Sequence, residues 1–233
     1  MTAGGVGTVA ALLRYPVKSM AGERLGAVEV DARGLAGDRR WAVYTDDGGI
    51  GSGKSTRRFR RVDGLLEWQA RLDGPVPVVE APTGERYGAD VAGVRLGEAM
   101  GRPLEIRAET DVPHHDESPV HVLTTASLRA LGSLLGGAVD VARFRPNVVL
   151  DVDGDGFPEE EWTARDLRLG DEVVLRLGPG MPRCVMVGLP QRDLARDKRI
   201  LRTLASERDL VLGVQATVVH GGTVRLGDPA ELR

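Results

Sequence analysis

The chain has 233 residues, 42% of them hydrophobic and 28% charged, with a formal net charge of −3 at pH 7. This is globular composition, enough for one large domain or two small ones with a shared core, and it gives no general attraction for nucleic acid or acidic membrane. A single cysteine, Cys184, excludes an internal disulfide, an all-cysteine zinc site and a cysteine-held iron–sulfur cluster.

In chain order, short β-type runs are expected at 9–15, 27–30, 41–44, 76–80, 104–107, 120–123, 148–151, 172–177 and 214–219, many ending at Gly, Pro or Asp. Helices are expected at 62–72, 125–135 and 197–205. The second starts with a Thr cap and sets Leu128, Leu131, Leu134 and Leu135 along one stripe. Strands outnumber helices without alternating regularly with them, which predicts a β-rich α+β, barrel-like architecture. The polar stretch 109–117 divides a strand-rich region, 1–112, from a second region, 113–233, that carries the best helix and the cysteine. No apolar run reaches the roughly 18 residues that span a bilayer. The first nine residues lack the features of a secretory signal, so a soluble cytoplasmic protein with a reduced thiol is expected.

Two stretches imitate known binding loops. Residues 48–55 read GGIGSGKS and satisfy the phosphate-loop pattern, with Lys54 and Ser55 as the phosphate and magnesium ligands. A strand precedes it and the helix expected at 62–72 follows. The turn sequence DDGG (46–49) reads equally as a hairpin between antiparallel strands. Residues 151–162, DVDGDGFPEEEW, carry acids at the first, third and fifth positions of a calcium loop but Trp162 at the twelfth, and read better as a solvated acidic turn.

The chemistry centres on Cys184. Leu177-Gly178-Pro179-Gly180 should end a strand and turn the chain before Pro182-Arg183-Cys184. The neighbouring guanidinium favours the thiolate, which suits a soft or high-valent metal. Three distant segments bring cations to strand ends: YPVKS (15–19), GDRRW (37–41) and RFRPN (143–147). Cationic donors gathered where loops meet at a barrel rim make a site for an anion such as phosphate.

These motifs, with DESP (116–119) and PRC (182–184), occur in the order and spacing of the MOSC proteins that carry an N-terminal β-barrel region. The chain therefore resembles relatives of the molybdenum cofactor sulfurase C-terminal domain and of the mitochondrial amidoxime-reducing component, over about 9–228. The resemblance implies a β-rich MOSC fold with the molybdenum cofactor (molybdopterin) held between the two regions and few helices. It implies Cys184 as the metal ligand and catalytic centre. Lys18, Ser19, Arg39, Ser118, Arg145, Asn147 and Arg183 are implied as cofactor contacts. The implied activity is reduction of a small N-hydroxylated substrate by oxygen-atom transfer. Electrons would come from a separate flavin or iron–sulfur protein, since this chain lacks the cysteines for a cluster.

A pyridoxal-phosphate sulfurase domain is not expected in a chain of this length. The residues following Cys184, VMVGLPQ, depart from the eukaryotic relatives, so substrate preference does not transfer. A cofactor or sulfur carrier without turnover, and a phosphate-loop nucleotide-binding protein, stand as alternatives. His114, His115, Asp116 and Glu117, joined by His121, are expected on a loop at the pocket rim, where a histidine supplies protons; their spacing fits no closed zinc pattern.

Overall fold

The computed structural model describes residues 4–233. The first half runs β1 (Gly4–Arg14), β2 (Glu23–Leu25), β3 (Ala27–Asp31), β4 (Gly34–Leu35), β5 (Trp41–Thr45), β6 (Ile50–Ser52), β7 (Phe59–Arg61), β8 (Gln69–Asp73), β9 (Val76–Glu80), β10 (Arg86–Gly88), α1 (Ala89–Met100) and β11 (Leu104–Ala108). The second runs β12 (Val120–Thr124), α2 (Thr125–Leu135), β13 (Val148–Asp151), β14 (Asp166–Leu169), β15 (Val173–Pro182), α3 (Lys198–Glu207), β16 (Val211–His220), β17 (Gly222–Arg225) and β18 (Pro229–Leu232). The strand-rich architecture with few helices is the one expected from the sequence.

Seven strands close into a barrel in the order β13-β12-β16-β15-β14-β18-β1, sealed by β1 pairing back onto β13. Only β12 and β13 run parallel in this ring. Alternate residues point inward, as the period of two requires. Leu167 and Leu169 of β14, Leu175 and Leu177 of β15 and Val214 and Ala216 of β16 thus meet Val9 and Leu12 of β1 in one buried core. The sheets β11-β5-β6-β7 and β10-β9-β8 enclose a second core with α1, built on Val43, Trp68, Val79, Leu96 and Leu104. A third joins α2 and α3 through Leu131, Ile200 and Leu204 to Phe144, Val187 and Leu212. Thr124 caps α2, its hydroxyl accepting from the Ser127 amide at 3.1 Å.

Three local expectations are corrected. The predicted helix over 62–72 is instead a single 3-10 turn, Leu65–Glu67, followed by β8. Gly64 enters that turn at φ 90°, and pairing of Gln69–Asp73 with Val76–Glu80 imposes an extended chain. Helix α1 was not anticipated because Gly93 and Gly97 dilute its propensity. Both are needed for close packing: a Cβ on Gly93 would lie 3.1 Å from Glu105 Cα, and one on Gly97 2.9 Å from the Arg102 carbonyl. Finally, the strand expected to stop at Leu177 continues as β15 to Pro182, its register against β16 shifting on either side of Gly180.

The phosphate-loop look-alike takes the hairpin reading. Tyr44 pairs antiparallel with Ile50, and the Thr45 amide donates to the Gly49 carbonyl at 2.9 Å. Strand β7 follows β6 in parallel pairing, where a phosphate loop needs a helix. In the calcium look-alike Asp151, Asp153 and Asp155 are exposed, and Asp151 accepts from the Thr125 hydroxyl. Among the described residues no group of three or more His, Cys, Asp or Glu is placed to hold a metal ion, and no helix is long and apolar enough to cross a membrane.

Candidate functional site

One pocket is lined by all eight of the residues singled out in the sequence: Lys18, Ser19, Arg39, Ser118, Arg145, Asn147, Arg183 and Cys184. They come from the chain leaving β1, the turn entering β5, the approaches to β12 and β13, and the chain leaving β15. Lys54, Asp116, Glu117, His121, Arg143 and Met186 join them. Six cations therefore face two carboxylates in the lining, an arrangement that favours an anion.

The cation cluster is built by backbone constraint. The Lys18 amide donates to the Trp41 carbonyl at 2.8 Å, Trp41 N–H returns to the Pro16 carbonyl at 3.0 Å, and Arg39 N–H donates to the Tyr15 carbonyl at 2.8 Å. These bonds clamp the YPVKS and GDRRW segments together. Ser19, Arg39 and Arg145 all sit in the left-handed region, at φ 64°, 50° and 54°. Each costs on the order of 1 kcal/mol in a residue with a Cβ, a strain that clusters at functional sites.

Behind the cations stand two groups the sequence reading did not select. The Tyr15 ring lies 4.9 Å from the Arg39 guanidinium and 4.2 Å from that of Arg145, a shared cation–π platform. Asp38, fully buried, pairs with Arg39, accepts the Tyr15 amide at 2.8 Å and faces His115 Nε2 at 3.6 Å. Burial pushes its carboxyl upward, but the Arg39 charge and these bonds outweigh it and hold the group at about 2. Tyr15 and Asp38 belong to the quoted motifs YPVKS and GDRRW. Their role was hidden because an aromatic and an acid inside such runs read as core and solvated surface.

Lys18 is buried, donates to the His114 carbonyl at 2.9 Å, pairs with Asp116 and lies 4.6 Å over the Phe59 ring. Burial lowers its amine to about 8, with Asp116 opposing the shift. Lys54 reaches the other oxygen of Asp116 at 3.0 Å. Burial also lowers Lys54, but Asp116 and then the Cys184 sulfur outweigh that and raise it. Burial depresses Arg145 and Arg183 to about 10, Arg39 adding to the effect in both and Cys184 opposing it in Arg183.

Asn147 is a clip: its amide donates to the Leu13 carbonyl at 3.3 Å, while its Oδ1 accepts from the His121 amide at 3.1 Å. Ser118 spends its hydroxyl on the Val120 carbonyl at 2.8 Å. Cys184 is half-buried and opens a 3-10 turn, Val185–Gly188. Arg143 fastens that turn from beneath, donating to the carbonyls of Val187 and Leu189 at 3.3 Å each and of Ala195 at 2.6 Å.

The histidine-rich stretch separates into parts. His114 is buried away from the pocket, bonded to Tyr44 Oη at 2.9 Å, while its Nδ1–H donates to the Arg39 carbonyl at 3.1 Å. His115 turns to Asp38. Of the histidines only His121, with Asp116 and Glu117, lines the pocket. Burial holds His121 well below its ordinary value, so it is neutral there, and its Nε2 is buried without a partner.

Comparison with known proteins identifies the family. Residues 109–231 match the MOSC domain and residues 6–92 the MOSC N-terminal beta barrel domain. The chain belongs to the MOSC domain family. Among its relatives, mitochondrial amidoxime-reducing component 1 from Homo sapiens is 28% identical, over 97% of this chain and 83% of that protein. Mitochondrial amidoxime reducing component 2 from Rattus norvegicus is 27% identical over 96% and 82%. The crystal structure of the YUAD protein from Bacillus subtilis shares the fold, with a TM-score of 0.56 at 12% identity and 99% and 97% coverage.

Proposed function

We propose that the protein is a cytoplasmic molybdenum-cofactor oxidoreductase that reduces small N-hydroxylated compounds with electrons from a separate redox protein. The observation that carries this is a soft thiol and five buried or half-buried cationic side chains, Lys18, Arg39, Arg143, Arg145 and Arg183, converging from distant segments on one pocket. The residues fit the group. Arg145 Nη2, Arg183 Nε and His121 Nε2 are buried with no hydrogen-bond partner, a costly state that an acceptor-rich anionic pterin relieves.

When bound, the cofactor supplies a metal that accepts an oxygen atom together with a change of two in oxidation state. Cys184 would ligate that metal. Lys18, Arg39 and Arg145 would hold the phosphate, with Ser19, Ser118, Asn147 and Arg183 around the pterin. Asp38 and Tyr15 keep the two guanidiniums oriented before anything binds, which removes an ordering cost. Overall the substrate's N–O bond breaks, its oxygen leaves as water, and two electrons and two protons are consumed.

The test is metal and pterin analysis of protein from a host that makes the cofactor, beside Cys184→Ala, with benzamidoxime turnover driven by a reduced dye. About one molybdenum per chain, lost in the variant, and turnover are expected. Retention of molybdenum by Cys184→Ala removes the ligand assignment. Bound cofactor without turnover replaces the enzyme with a carrier.

A further inference from the structure

Two carboxylates serve the cation cluster from opposite sides. Asp38 stands behind it, fully buried and outside the pocket lining. Asp116 stands inside the pocket, where one oxygen pairs with Lys18 and the other accepts from Lys54 at 3.0 Å. Its side chain keeps 29% of its surface exposed, against 6% for Lys18, so the carboxylate lies nearer the cavity's solvent than the ammonium it holds. Burial pushes the Asp116 carboxyl upward, but Lys18 and then Lys54 outweigh it and hold the group at about 2, ionised throughout the neutral range. The loop that carries Asp116 is fastened without it. Arg58 donates to the Pro113 and His115 carbonyls, His114 bonds to Tyr44 Oη at 2.9 Å, and His115 faces Asp38 at 3.6 Å. Lys18 likewise keeps two other partners, the His114 carbonyl at 2.9 Å and the Phe59 ring at 4.6 Å. What Asp116 adds is a negative charge at the place where an anion would meet both lysines.

We infer that Asp116 is a resident counter-ion, an internal stand-in for the ligand's phosphate that an incoming anion must displace from Lys18 and Lys54. This role rests on the reading of the pocket as the site of an anionic cofactor. A carboxylate and a phosphate oxygen compete for the same ammonium donors, and charge-assisted bonds of this kind are the strong ones. In the empty pocket the pairing spares Lys18 the state of an isolated buried charge. The same pairing weakens the hold on every anion, because it must break first. Asp116 and Glu117 lie on the exposed rim, which leaves the displaced side chain a path to solvent. Asp116 is thereby a specificity-determining residue. Small anions that engage the lysines alone are held off, while a ligand that also reaches Arg39, Arg145 and Arg183 offsets the displacement with further bonds.

The test is sulfate binding to the full chain free of cofactor, read by calorimetry at about pH 6, where the lysines are charged. Asp116→Asn keeps an oxygen acceptor for Lys18 but removes the charge, and should bind sulfate about tenfold or more tightly than the parent. Glu117→Gln removes the same charge from the same pocket wall, where Glu117 has no ion pair among the described residues, and should gain no more than about threefold. An Asp116 that merely supports the lysines predicts the reverse, weaker sulfate binding once it is lost. In the parent, carbodiimide coupling of glycinamide to Asp116, read by peptide mass spectrometry, should quicken about fivefold as sulfate saturates the pocket, so displacement is read even where Asp116→Asn does not fold. Unchanged or weaker sulfate binding in Asp116→Asn, an equal gain in Glu117→Gln, or coupling that is unchanged or slowed by sulfate overturns the assignment. Molybdenum content separates this role from the cofactor reading. Tighter sulfate binding in the variant, beside no molybdenum in protein from a cofactor-making host, leaves the counter-ion standing and removes the cofactor. Molybdenum in the parent with weaker sulfate binding in the variant does the converse.

Discussion

Replacement of Asp38 by Asn tests whether the cation cluster is organised from behind. The carboxylate is fully buried, paired with Arg39 and bonded to the Tyr15 amide. Its pKa, held at about 2 against an ordinary 3.8, corresponds to ~2 kcal/mol of preference for the charged form at neutral pH. Asn retains an acceptor for Tyr15 but turns an amide donor toward the Arg39 guanidinium. Breaking a buried pair costs roughly 3–5 kcal/mol. Arg39 keeps its bond to the Arg145 carbonyl at 3.3 Å, which places Asp38→Asn near the lower end, at ~3 kcal/mol. A depressed folded pKa gives stability that is complete above the unfolded value and lost as pH falls through the folded one. The gap between parent and variant should therefore be constant from neutral pH down to about 5, then narrow as pH drops below 3.8 toward 2. Urea unfolding across that range measures it. A loss under ~1 kcal/mol at neutral pH, or a gap that does not narrow in acid, refutes the reasoning.

Two further outcomes follow from the same pocket. Since burial brings Lys18 to about 8, sulfate affinity measured by calorimetry should be steady below that pH and decline as pH rises through it, and Lys18→Met should abolish the dependence; a flat profile in the parent contradicts the assignment. Arg143→Met deletes three bonds to carbonyls around the Cys184 turn, so amide exchange over 185–197 should quicken about tenfold or more while β14 is unchanged; uniform change in both regions means Arg143 serves the fold at large.

The candidate site was more legible in the sequence than the fold around it. Five short motifs contain every pocket residue selected, and they announce themselves because cations beside Pro, Gly and Ser at strand ends are chemically conspicuous. The buried partners are quieter. Asp38 looks like one more surface acid until Arg39 and Tyr15 close over it, and Lys54 hid inside a motif whose local spelling belongs to another fold. Secondary structure failed where tertiary contact decides: Gly93 and Gly97 weaken a helix locally yet allow it to touch β11, and 62–72 carries helix-like spacing that pairing with β9 overrides. Which segments meet was legible only through the resemblance, since no local property of Lys18 indicates that it will bond to a carbonyl 96 positions away.

The way the barrel is sealed sets an order of events during synthesis. Strand β1 is held on one side by β18 and on the other by β13, so its edges stay open until Pro229–Leu232, far downstream, have been made. Lys18 follows directly from that strand, and its partners lie far downstream. The cation cluster is consequently completed only once Arg183 has emerged, and whatever anion it holds meets a chain made at least that far.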